Sequence, residues 1–365
     1  LLVFYISGHG FGHASRDIEI INAVGRRRPD VPIVIRTSAA RWLFDLTVTT
    51  PVTIESLDVD PGVVQIDSLL LDEAATVSRA AAFYRDLDDR AGEEAHRLAG
   101  ARLVVGDIPP LAFAAAACAG VPAVAVGNFT WDWIYEGYAV EASAPWLLPA
   151  IRRAYARAAE AWRLPMSAGF APFEPVRDIP FVARRSRHDR AAARRAIGLP
   201  LDRRIVLLSF GGFGLDRLDL DRAARHAGCL LVTTDGAGGN GALIARRGPD
   251  VAIVDEWLLY SSGHRYEDLV AAADLVVTKP GYGIIAECIA NDTAMLYTSR
   301  GRFAEYDVLV REIPRFLRAR FIANAKLLAG DWRAEIETLL ASPPPPERPA
   351  VDGAHVVAEM IAARI

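Results

Sequence analysis

The sequence predicts two α/β domains, each built on a doubly wound parallel sheet. Three observations carry that expectation. Strand-like and helix-like segments alternate along both halves of the 365-residue chain. Each half opens on a short apolar run that leads straight into a glycine loop: 2–6 before Gly8, Gly10 and Gly12, and 205–209 before Gly211, Gly212 and Gly214. Between the halves, 164–187 carries four prolines and no period. Length agrees, since domains commonly run to about 100–200 residues. Hydrophobic residues make up 52% of the chain, enough for two cores, and exclude global disorder. The domains are placed at 1–165 and 188–345, with 166–187 as the linker. Residues 346–365 form a closing helix, free to pack back on the first domain.

Taken in order, 2–6 reads as a buried strand. A helix follows from Ser15 and Arg16, with Ile18, Ile21 and Val24 on one apolar face. Strands at 31–35 and 52–57 flank a helix at 39–46. Residues 72–99 are charged and alanine-rich and read as helical. A strand at 103–105 ends in Gly-Asp-Ile-Pro-Pro; a buried helix at 111–119 and a buried strand at 123–126 follow. Residues 144–162 read as a two-faced helix. In the second half, strands fall at 205–209, 230–234, 251–254, 275–278 and 294–297, with helices at 266–273 and 284–290. Pro343 to Pro346 make a rigid spacer before a last helix at 351–363.

Composition narrows the function classes. A net charge of -4 gives no reason to expect a nucleic-acid partner. The basic residues are nearly all arginine; only Lys279 and Lys326 are lysines. Cys118, Cys229 and Cys288 lie far apart among apolar neighbours and read as buried thiols in a reducing, cytoplasmic compartment. The opening run lacks a basic lead and reads as a strand, not a signal peptide. The longest apolar run, 111–126, is broken by Gly120 and Pro122 and is too short for a transmembrane segment. No acidic DxD-type pair stands at a strand end, and Asp88-Asp89 sits in a helical run as a solvated face. No metal and no other cofactor is therefore expected.

Two corners carry chemistry. Three glycines in five positions, Gly8 to Gly12, let the backbone turn and approach a ligand. A strand, a glycine loop and a helix start in that order present free N–H groups to an anion. His9 and His13 sit inside this corner and titrate near neutrality, so both are acid–base candidates. Turn-making alone also accounts for the glycines, and a histidine here can serve only to hold the turn. Ligands on parallel sheets bind at the carboxyl ends of strands. That places His13, Asp107 and the loop from Asn128 through Trp131 and Asp132 to Trp133 at one edge.

The second corner is Lys279 to Glu287. Gly281 and Gly283 permit close approach of a diphosphate to a helix N-terminus. Glu287, one turn deeper, could accept hydrogen bonds from ribose hydroxyls. The plainer reading is a helix whose acidic start suits its own dipole. Lys279 reads equally as a phosphate contact or a solvated strand end.

The chain resembles the GT-B fold of nucleotide-sugar glycosyltransferases. Gly8, Gly12 and His13 match the N-terminal loop of the bacterial peptidoglycan N-acetylglucosaminyltransferase. The chain is more similar to the transferase-like N-terminal half of plant L-arabinokinases and their bacterial stand-alone relatives. GHGFGHASR (8–16), VVQID (63–67), GDIPP (106–110), NFTWDWIYEGY (128–138), SFGGFG (209–214) and KPGYGIIAE (279–287) carry that likeness. No GHMP-type glycine–serine loop of a kinase half is seen in the chain. The resemblance implies a metal-independent transferase taking a nucleoside-diphosphate sugar, UDP-linked, and an acceptor hydroxyl whose carrier is unknown. It implies donor contacts at Gly211, Gly212, Gly214, Lys279, Gly281, Tyr282, Gly283, Glu287 and Glu305. Acceptor-side residues are His9, Gly10, Phe11, Gly12, Arg16, Asn128 and Trp131. His13 would be the base, oriented by Asp107 or Asp132. The same fold also serves nucleotide-sugar epimerases and hydrolases, and GHASR resembles the GHxxR of a pseudaminic-acid-pathway UDP-sugar hydrolase. A protein that binds a nucleotide sugar without turning it over is the non-enzyme alternative.

Overall fold

The computed structural model describes residues 1–211, 218–235 and 241–365. Its first half builds a sheet from β1 (Leu2–Ile6), β2 (Ile33–Thr37), β3 (Thr53–Ser56), β4 (Leu103–Asp107), β5 (Ala123–Gly127), β6 (Glu160–Arg163) and β7 (Val176–Asp178). The strands lie in the order β3-β2-β1-β4-β5-β6-β7, all parallel. β1, β4 and β5 are buried along their whole length, as strands covered on both faces must be. The order reverses direction between β1 and β4, which opens a crevice above their carboxyl ends.

The second half repeats this plan. Its strands are β8 (Ile205–Ser209), β9 (Leu230–Asp235), β10 (Ile244–Arg246), β11 (Val251–Asp255), β12 (Leu275–Thr278), β13 (Ala294–Tyr297) and β14 (Ala319–Phe321). They lie in the order β10-β11-β9-β8-β12-β13-β14; β10 alone pairs antiparallel. The reversal here falls between β8 and β12.

Several expectations are corrected. The helix after β1 starts at Phe11 rather than at Ser15, because Gly10 takes φ 77° and serves as its N-cap. The helical stretch 72–99 is two helices, Glu73–Tyr84 and Leu87–His96. The helix expected over 144–162 ends at Tyr155, and β6 follows it. Trp162 belongs to that strand and is fully buried against the closing helix. β7 lies inside 166–187 and pairs with β6, so part of that stretch completes the first sheet.

The closing helix, Gly353–Ala362, packs on Phe11–Arg27, and Val357 and Ile361 enter the core of the first half. Other contacts join the halves near the crevice. Leu69 enters the core of the second half, and the Ser68 hydroxyl donates to the Phe210 carbonyl at 2.7 Å. Phe129 stacks on Tyr282 with ring centres 5.9 Å apart, and Trp42 meets Tyr260 edge-on at 5.6 Å. Among the described residues no helix is long and apolar enough to cross a membrane.

Candidate functional site

On the first half the site grows from strand ends. Asp107 is the last residue of β4 and is 1% exposed. A bare carboxylate there would be costly, so its partners decide what it does. His13, in the first turn of Phe11–Arg27, sets Nδ1 2.9 Å from Asp107 Oδ1. Arg16, one turn on, donates from Nε to Oδ2 at 3.0 Å and from Nη2 to both oxygens. Its Nη1 donates to Asn128 Oδ1 at 2.5 Å, and the Asn128 amide donates to the Pro165 carbonyl. The Arg16 and His13 charges hold the Asp107 carboxyl far below its usual range, against the penalty of burial. Asp107 therefore only accepts; at 2.9 Å from Nδ1, closer than the Arg16 Nη2 donor at 3.2 Å, it favours the tautomer with the proton on Nδ1 and the lone pair on Nε2. Phe129 packs edge-on against the ring at 5.5 Å.

Asp17, in the same helix, is fully buried against Asp107, and neither carboxyl oxygen finds a donor. Burial and the Asp107 charge push its pKa well up, so it keeps its proton and can donate to Asp107. Asp132 does not orient His13. Its Oδ2 accepts from Arg152 Nε at 2.8 Å. Trp131 is buried, stacks on Tyr135 and meets His9 edge-on. His9 lies beside Gln65, Nε2 to Nε2 at 3.2 Å. Burial, then His13, then the Arg300 charge, hold its pKa down at about 3, so His9 is neutral. Gly62, at φ 61°, backs this ring; a Cβ there would come within 2.5 Å of Nδ1. Phe11 is exposed and leans on Trp42.

On the second half, Tyr282–Ala290 follows β12 directly. Its N-cap is Gly281, no side chain caps it, and its first turn holds no acid. The same three statements hold for Phe11–Arg27 with Gly10 as N-cap. These two bare helix starts meet: a Cβ on Gly283 would lie 3.8 Å from the Gly12 Cα. Each contributes roughly half a positive charge and unsatisfied N–H groups to one place. Lys279 stands just before, half-buried, with no ion pair among the described residues. Burial, then the Arg300 charge, bring its pKa down to about 7. Arg300 is buried, pairs with Glu305 Oε1 at 3.1 Å, and lies 3.6 Å from the centre of the Phe303 ring.

Glu287 lies in the second turn of its helix and is buried. Arg184 holds it through Nε at 2.7 Å and through Nη2, both on Oε1. Oε2 accepts no hydrogen bond among the described residues. Arg184 also donates to the Tyr260 hydroxyl at 3.2 Å and stands 3.8 Å from Glu267. Gly211 is described, at φ 71° with open space where a Cβ would go; Gly212 and Gly214 lie outside the described residues.

The comparisons bear on the whole arrangement. No family model matches the chain. It is 27% identical over 371 residues to the L-arabinokinase of Arabidopsis thaliana, covering 99% of this chain and 34% of that protein. The chain thus spans about a third of the length of the curated relative it matches. The solved CalG4 calicheamicin glycosyltransferase superposes with a TM-score of 0.61 at 15% identity, over 100% of this chain and 94% of that one. Phytolacca americana UGT2, complexed with UDP-2fluoro-glucose and pterostilbene, gives 0.59 at 13% identity, over 99% and 94%. The glycosyltransferase VinC, complexed with dTDP, gives 0.58 at 16% identity, over 100% and 94%. This chain has the GT-B fold.

Three residues of this GT-B chain escaped the sequence reading. Arg184 and Arg300 sit in aperiodic segments and matter only through Glu287 and Glu305. Asp60, between β3 and the next helix, is buried beside Ser7, whose hydroxyl donates to its Oδ1 at 3.0 Å. Among the described residues no group of three or more His, Cys, Asp and Glu is placed to hold a metal ion. As a GT-B site the crevice offers a fixed imidazole with a free lone pair on one wall. The other wall offers bare helix N–H groups with a poised ammonium.

Proposed function

We propose that this protein transfers a sugar from a nucleoside-diphosphate sugar, UDP-linked, to an acceptor hydroxyl. The observation that carries the reading is the meeting of two uncapped helix N-termini, one from each half, beside Lys279 and His13. A diphosphate fits that place better than any neutral group, because both dipoles and the lysine favour negative charge. Glu287, held through Oε1 by Arg184, keeps Oε2 for a ribose hydroxyl. Glu305, fixed by Arg300, stands on the same wall for the sugar. The acceptor enters from the first half, past His9, Phe11, Asn128 and Trp131.

The step follows from these positions. His13 Nε2 takes the proton of the acceptor hydroxyl as that oxygen bonds to the anomeric carbon. The bond from that carbon to the β-phosphate oxygen breaks, and the diphosphate leaves with the electron pair. N–H groups at Gly281 to Gly283 and the Lys279 ammonium receive the new charge. Asp107 steadies the imidazolium and keeps its tautomer, while Arg16, itself anchored on Asn128, holds Asp107. The solved neighbours support the reading through their fold and through the nucleotides named with two of them.

Thermal shift with UDP, GDP, dTDP and their sugars tests it. A ligand at 100 times its dissociation constant stabilises by about 2.7 kcal/mol. The UDP series should raise the melting temperature most. Fast UDP release from UDP-sugar with water alone would replace the transferase reading by a hydrolase.

A further inference from the structure

Two short segments cross the crevice in opposite directions. The first is a hairpin of the first half, 64–72, a stretch to which the transferase reading gives no task. Gln65 pairs antiparallel with Leu71, and Asp67 Oδ1 accepts from the N–H groups of Leu69 and Leu70 at 2.7 and 2.9 Å. The Asp67 bonds fix the tip from within. At the base, Val64 N–H donates to Thr76 Oγ1 at 2.9 Å, which ties the hairpin to the Glu73–Tyr84 helix. The tip nonetheless packs in the other half. Ser68 is fully buried and donates to the Phe210 carbonyl at 2.7 Å, and Leu69 lies in one core with Leu208 and Phe210.

The second segment, 300–305, runs the other way. It follows β13 of the second half, yet Phe303 is buried in the first-half core with Trp131 and Tyr138. The Arg300 guanidinium covers its ring at 3.6 Å. The two segments touch at Gly301, which takes φ 53°: a Cβ there would come within 2.9 Å of the Leu69 carbonyl oxygen. Arg302 also pairs with Glu73 of the first half at 3.2 Å, an exposed pair that adds little. Each half thus completes its core with a side chain of the other. Separating the halves would carry Leu69 and Phe303 into water, which the hydrophobic effect opposes.

We propose that this reciprocal exchange of Leu69 and Phe303 is a clasp that holds the crevice at its working width before any ligand binds. Halves joined by a polar rim would open readily, since water replaces polar contacts. A clasp that buries apolar side chains in both directions resists opening and keeps the two walls in register. A ligand then meets walls already set at their distance and is spared the cost of ordering them. The clasp lies on the Phe210–Gly211 side of the second wall, so a ligand there leaves more slowly while the clasp is shut. The inference concerns the width of the crevice and stands apart from the reaction; UDP enters only as a probe.

Small-angle scattering of the whole chain, with and without saturating UDP, tests this. A compact chain of this length has a radius of gyration of about 21 Å. The parent should keep one radius in both states. The double variant Leu69→Ser, Phe303→Ser should read about 1 Å larger without UDP and return to the parent's value with it. A parent that contracts on UDP overturns the proposal, and so does a folded double variant with the parent's radius in the absence of UDP. Where the double variant fails to fold, hydrogen exchange of the parent decides. Amides of 65–71 and 301–304 should be as protected without UDP as with it, and protection that appears only with UDP is equally fatal. A separate calorimetric titration shows whether UDP binds at all. If it does not, the nucleotide reading fails, while the ligand-free comparison of parent and double variant still judges the clasp.

Discussion

The two walls of the crevice match their charges differently. On the first wall, Asp107 is held by both His13 and Arg16, and Arg16 reaches on to Asn128. On the second, among the described residues, Lys279 stands without an ion pair, Arg300 Nε is buried without a partner, and the Tyr282–Ala290 helix start is bare. The first wall is assembled before any ligand arrives, as a group that moves a proton needs to be. The second is short of negative charge, which in the proposed function a diphosphate would supply. The fold is the same on both sides; the difference lies in which charges already have partners.

Substitutions on each wall should therefore fail in different ways. The largest effect is expected from His13→Ala: turnover falls about 10²–10⁴-fold while affinity for UDP-sugar stays near that of the parent. Steady-state kinetics beside a binding titration check this, and a parallel loss of affinity would blur the distinction between the walls. Next comes Asp107→Asn, which leaves Arg16 buried without its carboxylate. A loss of stability of about 3–5 kcal/mol is expected, visible as a lowered melting temperature, together with slower turnover. Asp132→Asn, at a carboxylate paired with Arg152 instead of His13, should leave the pH profile in place.

Smaller effects belong to the second wall. Glu287→Ala should weaken UDP and UDP-glucose alike by about tenfold to a hundredfold, since a hydrogen bond to a charged group is worth about 1.5–3 kcal/mol. The smallest is a pH effect at Lys279. Its pKa is lowered to about 7, so its charge is present below that pH and lost above it. Affinity for UDP-glucose, whose diphosphate does not titrate near neutrality, should fall several-fold from about pH 6 to about pH 8. Lys279→Gln should abolish the slope.

The sequence reading reached the strands and glycine corners because these are local. β1 and β8 announce themselves as apolar runs that end in glycine, and the alternation of periods along each half implied parallel sheets. Boundaries failed where a short element broke a longer pattern. β6 was absorbed into an alanine-rich helical run, and the Phe11–Arg27 helix begins on residues that are poor helix starters, made possible by Gly10. The strand-end rule brings His13, Asp107 and Asp132 to one edge; what separates the two carboxylates is Arg152, which pairs with Asp132 from a helix the local pattern does not connect to it. Arg184, Arg300 and Asp60 carry no local signal. Each acquires meaning only from a residue far away in the chain, and no periodicity reports such a meeting.

The central claim is that nucleotide binding belongs to the second wall and proton transfer to the first. Calorimetric titration of UDP into the parent, Glu287→Ala and His13→Ala tests it most directly. The account predicts that the parent and His13→Ala bind UDP alike, while Glu287→Ala binds at least about tenfold more weakly. UDP binding that survives in Glu287→Ala and is lost in His13→Ala would place the nucleotide on the wrong wall and contradict the account.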